Sequence, residues 1–361
     1  MKKVIYIDTA SFNGHKQFNK NNINVLGRIC NLDVFFRKDY LDYSSLFIQN
    51  VFESSLNCFP NYIKYKTRIG HFLKSFFGQL KILKEVLRIV KRNNYDVVIF
   101  SWVDIFPFWL KTKSLKNKIY FYEHGLYYTQ NHKYTHFFWR HLNKNVCPII
   151  LEDYFSKYIR DVLKCKNKQY LIRHPLGKID ERSCLAEKSK ANILFFGPSQ
   201  SNDYHFIREL YDYRNQIPKE VFIVVKGDFE YQSPNLLIYK DVLSREDYDS
   251  YMCNSSYILI PYSPNYNYRT SGVIFEGVAC KKKIILLKGN TLQYLANKYR
   301  NLFILVDNIE SLVKCLIELK DDNSKCNSFF NKDLEVFLND YSDESLSNSF
   351  GDLLNDIPYI S

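Results

Sequence analysis

The residues best suited to chemistry lie between two apolar runs, Tyr257–Ile260 and Lys283–Leu287. Arg269-Thr270-Ser271-Gly272 stands there, ahead of an apolar segment from Val273 to Cys280. Thr270 or Ser271 can cap a helix that starts at this point, and Gly272 lets backbone amides approach a ligand closely. The first amides of a helix lack intrahelical acceptors, and beside a guanidinium such as Arg269 they attract phosphate oxygens. Glu276 falls about one turn inside, where a carboxylate can accept hydrogen bonds from sugar or ribose hydroxyls. The stretch reads as a cradle for a nucleoside diphosphate, against the alternative of an ordinary capped core helix.

A second set of candidates follows another apolar run. Ile119 to Tyr122 leads into Glu123-His124-Gly125, with Tyr127 and Tyr128 beyond. Ligands of open parallel sheets bind beyond the carboxyl ends of strands, so a side chain placed there can reach a substrate. An imidazole at His124 can donate to a sugar hydroxyl or act as a base toward an acceptor hydroxyl, and Glu123 competes for the acid or base role. The alternative is a structural histidine at a strand end. Lys226-Gly227-Asp228 follows Val221 to Val225 and offers a cation that, with Arg269, balances a departing diphosphate in place of a divalent metal. Asp247-Tyr248-Asp249 spells a metal-binding motif found on another fold. Its setting, with Ser244 ahead of Glu246 and Asp247, reads instead as the capped, acidic start of a helix, on which positions i and i+2 face different ways. The match is read as accidental, and neither a metal nor a cofactor is expected.

Such residues need strand ends and helix starts to hold them. Apolar runs recur with helical stretches between them, the pattern of alternating β and α units. One series comprises Val4 to Ile7, Val97 to Phe100, Ile119 to Tyr122, Ile149 to Leu151 and Tyr170 to Ile172. A second comprises Ile193 to Phe196, Val221 to Val225, Leu236 to Tyr239, Tyr257 to Ile260, Ile284 to Leu287 and Phe303 to Val306. The polar stretch between them has no apolar periodicity and reads as a linker. The expectation is an α/β chain of two doubly wound, Rossmann-like domains facing across a cleft, over 1–175 and 192–335, joined by a linker at 176–191. His174, before Pro175, is expected at the hinge or cleft. Apolar residues after Asp333 predict final helices over 336–361.

With 361 residues, two domains of ordinary size are the natural expectation. No apolar run reaches the roughly 18 residues of a membrane span. Met1-Lys2-Lys3 leads straight into Val4-Ile5-Tyr6-Ile7, too short a run for a signal peptide. The 9 cysteines show neither a CxxC pair nor zinc spacing, so reduced thiols and a cytoplasmic location are expected. A net charge of +12 implies an acidic partner. The excess concentrates over 62–94, where nine cations face only Glu85 and interleave with apolar residues at helical spacing. That surface can lie on an anionic membrane, or be the outer side of a helix packed on a sheet. No nucleic-acid motif accompanies the charge, so nucleic acid is not an expected partner.

The segment from Phe275 to Ile285, Phe-Glu-Gly-Val-Ala-Cys-Lys-Lys-Lys-Ile-Ile, resembles the donor-site motif of GT-B glycosyltransferases, family 4 in particular. The resemblance implies two Rossmann-like domains, a nucleotide-sugar donor and transfer to a hydroxyl of a glycan or lipid-linked acceptor, with retention of anomeric configuration and no metal. It implies that Glu276 contacts the ribose. The family's second glutamate, which touches the donor sugar, has its place taken here by Tyr268. By position His124 resembles the residue that reaches donor or acceptor. The loop Asp8 to His15, with Gly14 and His15, resembles the glycine-containing loop near donor phosphates or acceptor, and Gly197-Pro198-Ser199 the first loop of the donor domain. In such enzymes the final helices cross back to the first domain, a fold-level analogy. Location follows as cytoplasmic, peripheral on the inner face of the membrane, in surface polysaccharide synthesis. Two other readings stand beside this one: a non-catalytic binding subunit on the same fold, and polyol-phosphate transfer from a cytidine-diphosphate donor.

Overall fold

The computed structural model describes residues 1–11, 15–56, 68–113, 115–126, 129–130, 132–177, 193–320 and 328–357. The chain divides into two compact units, Met1–Pro175 with Tyr341–Ser361, and Leu176–Asp340.

The first unit is built on seven parallel strands, β1 (Lys3–Asp8), β2 (Asn31–Arg37), β3 (Asn50–Ser54), β4 (Val97–Trp102), β5 (Lys118–Glu123), β6 (Val146–Ile150) and β7 (Tyr170–Leu171), in the order β3-β2-β1-β4-β5-β6-β7. The order reverses between β1 and β4, the place where a doubly wound sheet opens a crevice at its carboxyl edge. β1, β4, β5 and β6 are buried nearly end to end, which is why they read as unbroken apolar runs. β2 and β3 have no counterpart among the sequence-predicted runs. Asp33 interrupts β2, yet it is buried because Tyr95 Oη and Asn50 Nδ2 donate to its carboxylate at 2.6 and 2.9 Å. β3 is an edge strand with Val51 exposed.

The second unit carries β8 (Ile193–Gly197), β9 (Val221–Lys226), β10 (Tyr231–Gln232), β11 (Leu236–Tyr239), β12 (Tyr257–Ile260), β13 (Lys283–Leu287) and β14 (Phe303–Val306), in the order β10-β11-β9-β8-β12-β13-β14. All pairs are parallel except β10 with β11. Its reversal falls between β8 and β12, the latter leading to the Arg269-Thr270-Ser271-Gly272 segment.

The last helix, Asp343–Leu354, places Leu346, Phe350, Leu353 and Leu354 in the core of the first unit with Phe18, Ile23 and Leu26 of the helix Lys16–Ile29. The preceding helix, Ser328–Asp340, belongs to the second unit, so the chain re-enters the first at Tyr341 rather than at residue 336. Both passages of the chain in the first unit meet one buried carboxylate. Tyr341 Oη donates to Glu152 Oε1 and Oε2 at 3.0 and 3.1 Å, and Arg173 stands 3.5 Å from Oε2, with its guanidinium over the Tyr341 ring. Glu152→Ala removes the acceptor of these bonds, and the first unit is expected to lose about 2–4 kcal/mol, read as a lowered midpoint in thermal unfolding.

The helix Arg68–Asn93 holds most of the basic segment; 57–67 lie outside the described residues, as do the side chains up to Lys74. Ile82, Leu83, Val86, Leu87 and Val90 are buried, while Lys81, Lys84, Arg88, Lys91 and Arg92 are exposed. The apolar stripe therefore packs inside and a basic ridge faces out. No described helix is long and apolar enough to cross a membrane. Cys30, Cys147, Cys165, Cys280 and Cys315 are free thiols.

Candidate functional site

In the first unit, three histidines converge at the carboxyl edge of the sheet. His124 follows the end of β5, His15 precedes the helix Lys16–Ile29, and His174 lies just beyond β7. The His15 and His124 rings stack at 4.5 Å, while Phe18 stands edge-on to His124 at 4.7 Å and 5.2 Å from His174. His124 Nε2 lies 2.7 Å from the Ser101 carbonyl, which only accepts, so this nitrogen carries the proton and Nδ1 keeps a lone pair. Burial holds the His124 imidazolium form well below the usual range, with His15 and His174 adding like-charge repulsion. His174 is lowered to about 4 by burial, and His15 is lowered too. The imidazole is thus neutral at physiological pH, its one donor engaged. Nδ1 is the ring atom left with acceptor capacity.

Glu123 faces the other way, as adjacent strand residues do. Its Oε1 accepts from Gly125 N at 3.0 Å, and burial pushes its carboxyl up to about 8. At neutral pH it is mainly a carboxylic acid, able to donate. At the end of β1, Asp8 is fully buried; its Oδ1 accepts from the amides of Ala10 and Ser11 and its Oδ2 from Asn19 Nδ2, which fixes the turn leading toward His15. Gly14, Tyr127 and Tyr128 lie outside the described residues.

In the second unit the site forms at the reversal between β8 and β12. Gly197 ends β8, where an added Cβ would stand 3.0 Å from Val225 and 3.1 Å from the Leu259 carbonyl, so the residue is a packing requirement of adjoining strands. Asn202 Nδ2 ties the carbonyls of Gly197 and Lys226 at 2.9 and 3.0 Å, and Asn202 bridges to Tyr262 beyond β12. Lys226 is the last residue of β9, buried, with Nζ 3.3 Å from the Asp241 carbonyl and over the Tyr239 ring. It is thus a buried residue at the carboxyl end of its strand, whereas Arg269 lies in the loop after β12 and is half-buried.

The helix Gly272–Ala279 starts as the sequence suggests, with Ser271 at the N-cap, but the side chain makes no capping bond. Ser271 Oγ pairs instead with Tyr262 Oη at 2.9 Å, and the Thr270 carbonyl accepts from Tyr266 Oη at 2.7 Å. The first turn is closed by the backbone instead, Ile274 N donating to the Ser271 carbonyl at 3.1 Å, which leaves the amides of Gly272 and Val273 at the tip of the helix. A Cβ built on Gly272 meets nothing within 4 Å, so the approach is open. Arg269 lies over the Tyr266 ring at 5.3 Å. Tyr268 adopts a left-handed backbone, φ 49°, sparsely populated by tyrosine, and its amide donates to Thr291 Oγ1 at 2.7 Å. The loop is therefore pinned from 262 to 271 by side chains.

Glu276 sits on the inner side of this helix. Its Oε2 accepts from Tyr248 Oη, and its Oε1 is 4.0 Å from Arg245, which also pairs with Asp249 at 2.8 Å. Burial pushes the Glu276 carboxyl upward, against the Tyr248 hydrogen bond and the Arg245 charge. Ser244 Oγ accepts from Asp247 N at 3.0 Å, so Asp247-Tyr248-Asp249 does begin a helix, Arg245–Asn254, with Asp247 exposed and Asp249 buried. Among the described residues no group of three or more His, Cys, Asp or Glu is placed to hold a metal. Asn202 was among the polar candidates of the loop after β8, while sequence reasoning missed Tyr262 and the contribution of Arg245, Tyr248 and Asp249. The last three have a signal in hindsight, since i, i+3 and i+4 share one helix face.

No family model and no curated protein matches the sequence. Solved structures match it along its length. Sucrose-phosphate synthase from Thermosynechococcus elongatus gives a TM-score of 0.71 at 13% identity, covering 99% of each chain. HepE of Anabaena in complex with UDP gives 0.67 at 10% identity, covering 98% of this chain and 100% of that one. A UDP-N-acetylglucosamine 2-epimerase gives 0.58 at 15% identity, covering 99% and 96%. Likeness at such identities speaks for architecture. With two seven-stranded doubly wound sheets matched throughout by these structures, the chain has the GT-B fold, two Rossmann-like domains in one polypeptide.

Proposed function

We propose that this protein is a metal-independent, retaining glycosyltransferase that moves a sugar from a nucleotide-activated donor to a hydroxyl of a glycan or lipid-linked acceptor in surface polysaccharide synthesis. The observation that carries it is the helix start at Gly272, open to approach, with Arg269 before it and the half-buried carboxylate of Glu276 one turn inside, at the reversal point of the second sheet. Anion, cation and diol chemistry meet there in the order phosphate, then ribose. The UDP bound to HepE supports the same donor class on this fold.

In this mechanism the helix amides and Arg269 stabilise charge that develops on the departing diphosphate, the role a divalent cation plays elsewhere. Glu276 orients the nucleoside. The first unit contributes His124, whose Nδ1 accepts a hydroxyl proton, and Glu123, whose protonated carboxyl donates. The basic ridge at Lys81, Lys84, Arg88, Lys91 and Arg92 suits a peripheral position on an anionic membrane bearing a lipid-linked acceptor. Charge reversal at Lys81, Lys84 and Arg88 is expected to abolish sedimentation with anionic vesicles while leaving activity on a soluble acceptor intact.

Tyr268, in the place of a sugar-binding glutamate and in a strained backbone, favours a second reading, a binding subunit that holds nucleotide without turnover. Thermal shift against nucleoside diphosphates and their sugar conjugates, with and without divalent metal, tests the first reading. One nucleotide is expected to raise the unfolding midpoint, by the equivalent of about 2.7 kcal/mol at a hundredfold excess over Kd. Glu276→Ala and Arg269→Ala should each remove the shift. Absence of any shift in the unaltered protein sinks the donor-site assignment, and a shift without sugar transfer to any acceptor moves the conclusion to the binding subunit.

A further inference from the structure

Around Glu276 the helix Arg245–Asn254 supplies three side chains that the cradle does not account for. Tyr248 Oη donates to Glu276 Oε2. Tyr248 is itself fixed, edge-on to Phe196 of β8 at 5.6 Å and with the Arg245 guanidinium 5.3 Å from its ring. Arg245 is held by Asp249 through two contacts, Nε to Oδ2 at 2.9 Å and a terminal nitrogen to Oδ1 at 2.8 Å, and its other terminal nitrogen stands 4.0 Å from Glu276 Oε1. From the opposite side, a Cβ on Gly177 would lie 2.5 Å from Glu276 Cγ, so only glycine leaves room for this rotamer. The carboxylate is therefore gripped at its stem and at both oxygens.

A vicinal diol presents two O–H donors and needs two acceptor positions on one carboxylate. An ionised carboxylate has about four lone-pair sites. Tyr248 uses one on Oε2, and Arg245 at 4.0 Å acts through charge, so each oxygen retains a site for one hydroxyl. A protonated carboxyl would turn one of those acceptors into a donor. Burial and the charge of Asp249 push toward that form, while Tyr248 and Arg245 oppose it; Cys280 and Tyr262 are the other titratable groups that sense Glu276.

Resting on the reading of Glu276 as the ribose contact, we infer that Tyr248 and the Arg245–Asp249 pair are positioning residues for the nucleotide, holding Glu276 as a two-point acceptor for a vicinal diol and so selecting ribonucleotides over 2′-deoxyribonucleotides. The motif Asp247-Tyr248-Asp249 thereby acquires a role without a metal. Asp247 pairs with the Ser244 cap, and Tyr248 and Asp249 serve the carboxylate.

The test is calorimetric titration of the full chain with UDP, ADP, GDP and CDP and with their 2′-deoxy counterparts, on the unaltered protein, Tyr248→Phe, Glu276→Gln, the double variant and Glu276→Ala. Loss of one hydrogen bond to a charged group predicts that Tyr248→Phe weakens the preferred ribonucleotide roughly 5- to 10-fold. Its affinity for the 2′-deoxy nucleotide should hardly change, so the ratio between the two collapses. Tyr248→Phe should add nothing in the Glu276→Gln background. Affinity for the ribonucleotide should also begin to fall at higher pH in Tyr248→Phe than in the unaltered protein, because the variant's Glu276 protonates sooner as pH drops; titration of the ligand phosphate is common to both and cancels in the ratio. Equal weakening of both nucleotides, or none, with Glu276→Ala still defective, overturns the role of Tyr248 alone. If Glu276→Ala binds as tightly as the unaltered protein, the reading of Glu276 falls and this inference with it.

Discussion

Replacing His124 with alanine is expected to lower turnover roughly 10²- to 10⁴-fold while leaving affinity for the nucleoside diphosphate unchanged. The separation follows from which unit holds each residue. His124 belongs to the first sheet and Glu276 to the second, so the variant removes a proton acceptor and none of the residues proposed to hold the nucleotide. The pH profile gives a second check. His124 is active as the neutral imidazole, and burial holds its imidazolium form well below the usual 6.5, so this base is lost only as pH falls below the ordinary histidine range. Glu123 donates only while protonated, and its carboxyl is pushed up to about 8, so the alkaline limb of kcat/KM is expected near 8 and should vanish in Glu123→Gln. An acid limb at the ordinary histidine value, or full activity in His124→Ala, would remove His124 from the mechanism. His15 is a weaker case: its ring stacks on His124, and His15→Phe, which keeps the stack, is expected to retain most activity.

Much of the architecture is legible in the sequence because parallel strands covered on both faces must be apolar throughout. Each of the eleven runs read from the chain meets a strand, with Leu151 and Ile172 one residue past the ends of β6 and β7, and their two series become two sheets. What was missed has local causes. Asp33 breaks the run of β2 and is made tolerable by Tyr95 and Asn50, partners far away in sequence. β3 is short and at the edge, and β10 has two residues. The site divides in the same way. A helix start is local chemistry, so the beginning of the helix at Ser271 and Gly272 is legible in the sequence. The bond from Tyr248 to Glu276 crosses 28 positions, and the stack of His15 on His124 joins a helix start to a strand end; neither leaves a pattern in one sequence. Lys226 misled for a related reason, since a lysine closing an apolar run looks the same whether its amine meets a ligand or, as here, a backbone carbonyl.

The largest effect on the second unit is expected from Glu276, and its sign differs between the free and the bound protein. Glu276→Ala should cost roughly 10²-fold or more in nucleotide affinity, as two hydrogen bonds to a charged acceptor are worth ~1.5–3 kcal/mol each at most. In the free protein the same carboxylate is a burden. Its folded-state carboxyl is raised above the usual 4.5, so the folded chain binds this proton more tightly than the unfolded one, and stability is lost as pH rises from 4.5 to the folded value. Glu276→Gln keeps the shape and an acceptor for Tyr248 while removing the charge. It is therefore expected to unfold at a temperature equal to or above that of the unaltered protein at pH 8, with the advantage shrinking toward pH 4, and yet to bind nucleotide about tenfold more weakly. A carboxylate kept at a cost to the free fold needs a compensating use, and nucleotide binding supplies one. If Glu276→Gln instead destabilises the free protein at pH 8 and leaves affinity intact, Glu276 is a structural partner of Tyr248 and Arg245, and the acceptor role must be sought elsewhere around the start of the helix Gly272–Ala279.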